Sequence, residues 1–202
     1  MTTNLISDPA AWHRRLCRVH SGLIVIGDLP ADRGGAIDLL HEWVGAGVTD
    51  IVDVRDEWSD QDLVAEFAPE IRYHWFGTHD LGTAQSDRWF DAVVESLTDV
   101  LHDPDAVVVV HCHMGVNRAP SMALRLLLEQ GWDARDALDA IRAARPIAAV
   151  RYAADAVDHY HRRRRSPATV RLDDARRVAR WLDEHRLDER WIISNIRLAT
   201  EI

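Results

Sequence analysis

The stretch VVVVHCHMGVNRAPSMAL, residues 107–124, joins an apolar run to a short polar loop and then to a segment with helical character. The run begins with four consecutive valines, so it is apolar and β-branched at every position. Such a run predicts a strand that is covered on both faces. The polar loop places Cys112 six residues before Arg118. In α/β proteins such a loop lies at the carboxyl end of the sheet, where ligands bind.

Strands and helices alternate along the first three quarters of the chain, and helices alone follow. Apolar spacing predicts strands at 22–30, 49–54, 71–76 and 106–110, with helices at 31–48, 59–70, 86–101, 119–130, 133–144 and 150–161. This order predicts an α/β fold with a central, mostly parallel sheet flanked by helices. The charged segment after HRRRRSP predicts a helical C-terminal extension over residues 162–202, beside a main domain over residues 1–161.

The charge and composition of the chain indicate which kinds of binding partner to expect. The net charge is −9, and all 24 basic residues are arginine, a bias that fits a high-GC bacterium. A broad nucleic-acid surface needs clustered positive charge, so we expect no nucleic-acid partner. No apolar run approaches the length of a membrane span, so we expect no membrane partner. The two cysteines fit a reducing compartment, and the N-terminus lacks signal-peptide character, so the expected location is the cytoplasm.

The loop itself predicts an anion site. Gly115 lies in mid-loop, where the backbone must turn for its N–H groups to converge, and the positive end of a helix dipole follows. Arg118 adds a planar pair of donors suited to two phosphate oxygens. The same positive field favours the thiolate of Cys112. One loop can therefore bind an oxyanion and present a nucleophile to its central atom.

At this point the residues resemble a known family. HCHMGVNRAPS (111–121) is similar to the His-Cys-x5-Arg signature of the cysteine-dependent protein tyrosine phosphatases, and in particular to the compact dual-specificity type. Three further segments agree with that family: VHSGLIVIGDLP (19–30), THDLG (78–82) and IRAARPIAAV (141–150). The resemblance covers about residues 17–160 and leaves the extension outside it.

The resemblance implies a role for each matching residue. Cys112 would be the nucleophile, Arg118 the phosphate and transition-state clamp, and Asp80 the general acid that later activates water. His111 would brace the loop. The loop residues that would line the phosphate are His113, Met114, Gly115, Val116, Asn117 and Arg118. No metal or cofactor is implied. The expected substrate is a phosphorylated protein, with phosphotyrosine, phosphoserine or phosphothreonine, or a small phosphate monoester.

One position departs from the family pattern. The family usually has Ser or Thr directly after the arginine, where the hydroxyl stabilises the departing thiolate, and this chain has Ala119. Ser121, two residues further on, is the nearest hydroxyl in sequence and is assigned to the surroundings of the site. We therefore expect slow breakdown of the phosphocysteine.

Two other functions stay open at this point. DIVDVRDEW (50–58) resembles a strand of the rhodanese-type sulfurtransferases, although the five-residue spacing and Asp80 favour a phosphatase. A phosphate-binding pseudophosphatase would keep the loop without turnover. The His-x-His pairs at 111–113 and 159–161 lack a second pair at ligand spacing, so no metal site is predicted. The extension could also mediate self-association.

Overall fold

The central element of the computed structural model, which describes residues 6–200, is a five-stranded sheet. Its strands are β1 (Cys17–His20), β2 (Leu23–Ile26), β3 (Asp50–Arg55), β4 (Arg72–Thr78) and β5 (Val108–His111). Their order across the sheet is β1-β2-β5-β3-β4, and only the β1–β2 pair is antiparallel. The prediction of a central, mostly parallel sheet is confirmed.

Eight α-helices accompany the sheet in the described part of the chain. They are α1 (Arg33–Gly45), α2 (Gln61–Phe67), α3 (Asp87–Ser96), α4 (Arg118–Glu129), α5 (Ala134–Ala144), α6 (Ala153–Arg163), α7 (Ala168–Glu184) and α8 (Glu189–Thr200). The predicted α/β class with additional C-terminal helices is confirmed. None of these helices has the length and apolar character that crossing a membrane requires.

The strands supply two cores because successive side chains point to opposite faces of the sheet. Val25, Val52 and Val110 pack with helices α3 to α6 on one face. On the other face, Ile51 and Val109 pack with α1 and α2. Burying each such side chain contributes about 1.5–3 kcal/mol. Strand β5 lies in the middle of the sheet and is buried throughout, so the loop that follows it starts from a rigid base.

Some element boundaries differ from those predicted. Strand β1 was not predicted, because CRVH is a short, partly exposed edge strand with little apolar pattern. Helix α2 is shorter than the predicted 59–70. At its start, the Asp60 carboxylate pairs with the buried Arg55, and the helix ends two residues before Pro69, which cannot continue it. Ser86 caps α3 as predicted, accepting a hydrogen bond from the N–H of Trp89. Helix α6 runs from Ala153 to Arg163, where 150–161 was predicted.

The C-terminal extension consists of two helices that pack on different parts of the molecule. Helix α7 buries Val178 and Trp181 in the core on the α3–α6 side of the sheet, and the Trp181 indole donates to Asp139 Oδ1 at 2.6 Å. Helix α8 buries Ile192 and Ile196 in a third, smaller cluster that also contains residues of the loop after β5.

Candidate active site

In the loop between β5 and α4, several backbone carbonyl oxygens accept hydrogen bonds from neighbouring parts of the protein. The buried Arg145 donates from Nη2 to Met114 O at 3.0 Å and from Nε to Gly115 O at 2.7 Å. Two more loop oxygens accept backbone bonds: His113 O from Asp28 N–H, and Val116 O from Ala149 N–H. The N–H groups of Met114, Val116 and Asn117 have no protein acceptor among residues 6–200. These N–H groups are therefore available to bind an anion.

Gly115 is the residue on which this loop conformation depends. Its φ is +63°, in the left-handed region that glycine adopts at little cost. A Cβ at this position would overlap the Arg145 guanidinium and lie 2.7 Å from Ile26 O. A side chain at this position is therefore disfavoured by the positive φ and by the lack of room for a Cβ.

Cys112 begins the loop and lines a cavity at the carboxyl end of the sheet. Its Sγ accepts a hydrogen bond from the Gly115 N–H at 3.2 Å, an arrangement that stabilises negative charge on sulfur. The side chain is almost fully buried, and it lines a cavity of about 330 Å³ together with Arg118 and Asp80. The structure thus brings together the three residues that the sequence singled out.

Arg118 is held by acidic residues of the segment after β3. Its Nη1 and Nη2 donate to the two carboxylate oxygens of Glu57 at 2.8 and 2.7 Å, and Nη1 also donates to Thr78 O. Burial works against the charged form, but Glu57 outweighs it and holds the pKa of Arg118 above its ordinary value. Burial likewise opposes ionisation of Glu57, yet Arg118 lowers the Glu57 pKa to about 2. The pair is therefore ionised at neutral pH.

One donor of Arg118, the Nε–H, has no hydrogen-bond partner among residues 6–200. The buried Nε–H makes no hydrogen bond within the described part of the chain, and a buried unpaired donor is costly. Since Arg118 lines the cavity, an oxyanion bound there would satisfy this donor. Glu57 therefore fixes the guanidinium while Nε stays available.

Asp80 lies in the segment after β4, with its two carboxylate oxygens in different surroundings. Oδ1 accepts a hydrogen bond from the Tyr152 hydroxyl at 2.5 Å, while Oδ2 lies 3.9 Å from Arg118 Nε. Burial, and then the neighbouring Asp80, raise the pKa of Tyr152 to about 12, so the phenol keeps its proton at neutral pH. Tyr152 thereby fixes one oxygen of Asp80 and leaves the other towards the cavity.

His111 and Ser121 lie outside the lining of this cavity. Burial lowers the pKa of His111 to about 4, so its imidazole is neutral at pH 7. Neither ring nitrogen has a hydrogen-bond partner in residues 6–200, and the ring packs edge-on against Trp43. Ser121 Oγ accepts a hydrogen bond from the Tyr152 N–H at 3.1 Å. The hydroxyl of Ser121 is thus committed to the backbone that leads to Tyr152.

Three residues of the site were missed by sequence reasoning. Glu57 lies in the DVRDE segment, where a carboxylate close to a strand end was the only available signal. Tyr152 and Arg145 reach the site from 40 and 33 residues beyond Cys112 in the sequence, and no spacing rule connects them to it. Their roles follow only from the packing of α5 and α6 against the loop.

A cluster of potential metal ligands lies beneath the site. Ligand atoms of Asp53, Asp60 and His111 lie within 4.8 Å of one another. The guanidinium of the buried Arg55 already pairs with both carboxylates, including a bond of 2.7 Å to Asp53. Arg55 therefore supplies the positive charge opposite these two carboxylates.

Comparison with known proteins shows which family this chain resembles. The family model described as dual specificity phosphatase, catalytic domain, matches residues 45–154, more than half of the 202-residue chain. The match includes Glu57, Asp80, the loop after β5 and Tyr152. Strands β1 and β2 and helices α7 and α8 lie outside it.

A curated relative is the probable tyrosine-protein phosphatase pir-2 of Caenorhabditis elegans, 40% identical over 57 residues. Those residues are 28% of this chain and only 16% of that protein. Solved structures share the fold at low identity. A mouse putative dual specificity phosphatase, complexed with zinc tungstate, is 17% identical with a TM-score of 0.59, over 83% of this chain and 99% of that one. Human DUSP28 is 15% identical with a TM-score of 0.58, over 73% and 96%.

Proposed function

Because this chain belongs to the dual specificity phosphatase catalytic domain family, we propose that it hydrolyses phosphate monoesters through a phosphocysteine intermediate on Cys112. The observation that carries the proposal is the placement of three groups around one cavity. They are the Cys112 thiol, the Asp80 carboxyl and the Nε–H of Arg118, which makes no hydrogen bond in the described part of the chain. We further propose that the substrates include phosphotyrosine, phosphoserine and phosphothreonine side chains.

In the first step, the Cys112 thiolate attacks phosphorus while the bond to the leaving oxygen breaks. The loop N–H groups and Arg118 Nε would bind the three non-bridging oxygens, where charge is carried in the transition state. The leaving oxygen takes a proton from Asp80, acting as general acid. The products of this step are the free alcohol or phenol, a phosphocysteine and the Asp80 carboxylate.

In the second step, water attacks the phosphocysteine and the P–S bond breaks. The Asp80 carboxylate takes the proton from water, so the same residue serves as acid and then as base. The products are inorganic phosphate and the Cys112 thiolate, which returns the site to its starting state.

The primary test is hydrolysis of p-nitrophenyl phosphate in reducing buffer with EDTA. Turnover that saturates with substrate and is inhibited by inorganic phosphate would support the proposal. Phosphate binding without turnover would identify a pseudophosphatase instead. Sulfur transfer from thiosulfate to cyanide would restore the sulfurtransferase interpretation of residues 50–58.

The role of Asp80 can be tested through the leaving group. Asp80→Asn is expected to lower kcat/KM, which reports the first step, about 10²- to 10⁴-fold on an alkyl phosphate, whose leaving group needs a proton. The loss of kcat/KM should be much smaller on p-nitrophenyl phosphate, because p-nitrophenolate leaves without protonation. Tyr152→Phe removes the hydrogen bond to Oδ1 and should give the same pattern, with kcat/KM on the alkyl ester lowered about tenfold.

Asp87 offers a matched control for this pair of variants. It is the first residue of α3 and pairs on the surface with Arg162 rather than lining the cavity. Asp87→Asn should therefore leave the hydrolysis of both substrates unchanged. Equal losses on both substrates in Tyr152→Phe would assign that residue a structural role only.

The Ala119 position can be tested by restoring the family's hydroxyl. Ala119 is fully buried and directly follows Arg118, at the position where the family has its hydroxyl, so a serine there restores that group. Ala119→Ser is expected to raise the steady-state rate several-fold and to reduce the initial burst of p-nitrophenol, because breakdown of the phosphocysteine becomes faster. Rapid-mixing kinetics separates the two phases, and an unchanged burst-to-turnover ratio would contradict the expected role of the hydroxyl.

A further inference from the structure

Helix α8 packs against the loop between β5 and α4, the loop that carries Cys112. Glu189, in its first turn, accepts hydrogen bonds at Oε2 from Asn117 Nδ2 at 3.0 Å and from Arg151 Nη2 at 2.7 Å. Further along the helix, Ile192 and Ile196 are buried in a cluster with Met114 and Val116. A polar contact and an apolar contact thus fix the helix on the same loop.

This packing brings a second face of α8 to the cavity. Ile193 and Arg197 are four residues apart, so they lie one above the other on the helix surface. Both line the cavity that contains Cys112 and Arg118. Arg197 is otherwise exposed to solvent. It is the charged residue that α8 contributes to this lining.

The charges around the cavity differ in their availability. Glu57 and Asp56 pair with Arg118, and Asp80 accepts from Tyr152. Apart from Asp80 Oδ2, which is left towards the cavity, the carboxylate oxygens in this lining are paired, and Arg197 adds a positive charge to the same lining. A volume of about 330 Å³ is at the small end of ligand pockets, so it admits a phosphate and a compact group attached to it.

We propose that Arg197 binds a second anionic group of the substrate, carried on the same compact substituent as the phosphate that is cleaved. The proposal rests on the phosphatase function and adds a substrate class to it: phosphate monoesters with a neighbouring carboxylate or second phosphate. The helix that carries this subsite lies outside the segment that matches the family model, so the subsite belongs to this chain's own extension.

The test uses the phosphate esters of 3- and 4-hydroxybenzoate, each compared with its methyl ester, which lacks the negative charge. The quantity measured is the ratio of kcat/KM for the carboxylate to kcat/KM for the ester. Differences in leaving group cancel when this ratio is compared between proteins. Arg197→Gln is expected to lower the ratio about five- to tenfold for at least one isomer, as a charge-assisted hydrogen bond is lost. Arg197→Lys should restore part of it.

Arg190→Gln is the matched control, since Arg190 is an exposed arginine of the same helix that does not line the cavity. Its ratio should equal that of the unmodified protein. A wild-type ratio that also falls as salt is raised would support an ionic contact at the exposed Arg197. Equal ratios in the wild type, Arg197→Gln and Arg190→Gln would overturn the subsite. Failure of the wild type to hydrolyse p-nitrophenyl phosphate, measured alongside, would overturn the phosphatase function itself, whereas hydrolysis of that ester without hydrolysis of the carboxylate probes would overturn the subsite alone.

Discussion

Cys112→Ser is expected to lower kcat for p-nitrophenyl phosphate by about 10⁴-fold or more, since removal of a catalytic nucleophile eliminates most of the rate enhancement. The serine hydroxyl has the same shape but is a far weaker nucleophile at neutral pH than a thiolate. The N–H groups of the loop and Arg118 are unchanged in this variant. Inorganic phosphate should therefore still bind, with a dissociation constant close to that of the unmodified protein by calorimetry.

The second cysteine provides the control for this substitution. Cys17 is buried in β1 and does not line the cavity, so Cys17→Ser should keep most of the turnover. Mass spectrometry after acid quenching should detect one added phosphoryl group on the Cys17→Ser protein and none on Cys112→Ser. Substantial turnover by Cys112→Ser would exclude the phosphocysteine mechanism.

Gly115→Ala is expected to lower kcat/KM by about 10²-fold or more and to weaken phosphate binding in parallel, since small displacements of positioning groups have effects of this size. An alanine Cβ would meet the Arg145 guanidinium and Ile26 O, so the loop must move. The left-handed φ adds strain of about 1–2 kcal/mol for a residue with a side chain. Binding and catalysis should fail together because one loop conformation serves both.

Gly47→Ala is the control that distinguishes backbone strain from steric overlap of the new Cβ. Its φ is +79°, yet a Cβ there would meet nothing within 4 Å. Gly47→Ala should therefore lower the melting temperature by about 2–4 °C for each kcal/mol of strain while leaving kcat/KM nearly unchanged. If both glycine variants lost activity equally, general instability and not the loop conformation would explain the loss.

The fold was largely predictable because its signals are local. The valine run of β5, the apolar spacing of α1 and the cap at Ser86 each lie within one element, and the structure reproduces them. The exceptions follow the same logic. Strand β1 has a weak pattern and forms because β2 offers an edge, which is a property of the assembled sheet.

The site was predictable only for residues that a motif or a loop position marks. Cys112, Arg118 and Asp80 belong to segments with a recognisable pattern, and the structure places all three on one cavity. Glu57 and Tyr152 hold two of these groups in place, but each does so across the fold. Such contacts depend on how strands and helices pack, which residue spacing does not encode.

The buried Arg145 links the loop after β5 to the first segment of the described chain. Besides the loop, it donates to Trp12 O at 2.7 Å, so one guanidinium joins positions 133 residues apart in the chain. The same guanidinium holds the carbonyl oxygens of Met114 and Gly115. A displacement of the segment around Trp12 would therefore reach the backbone of the loop through a single side chain, although Trp12 does not line the cavity.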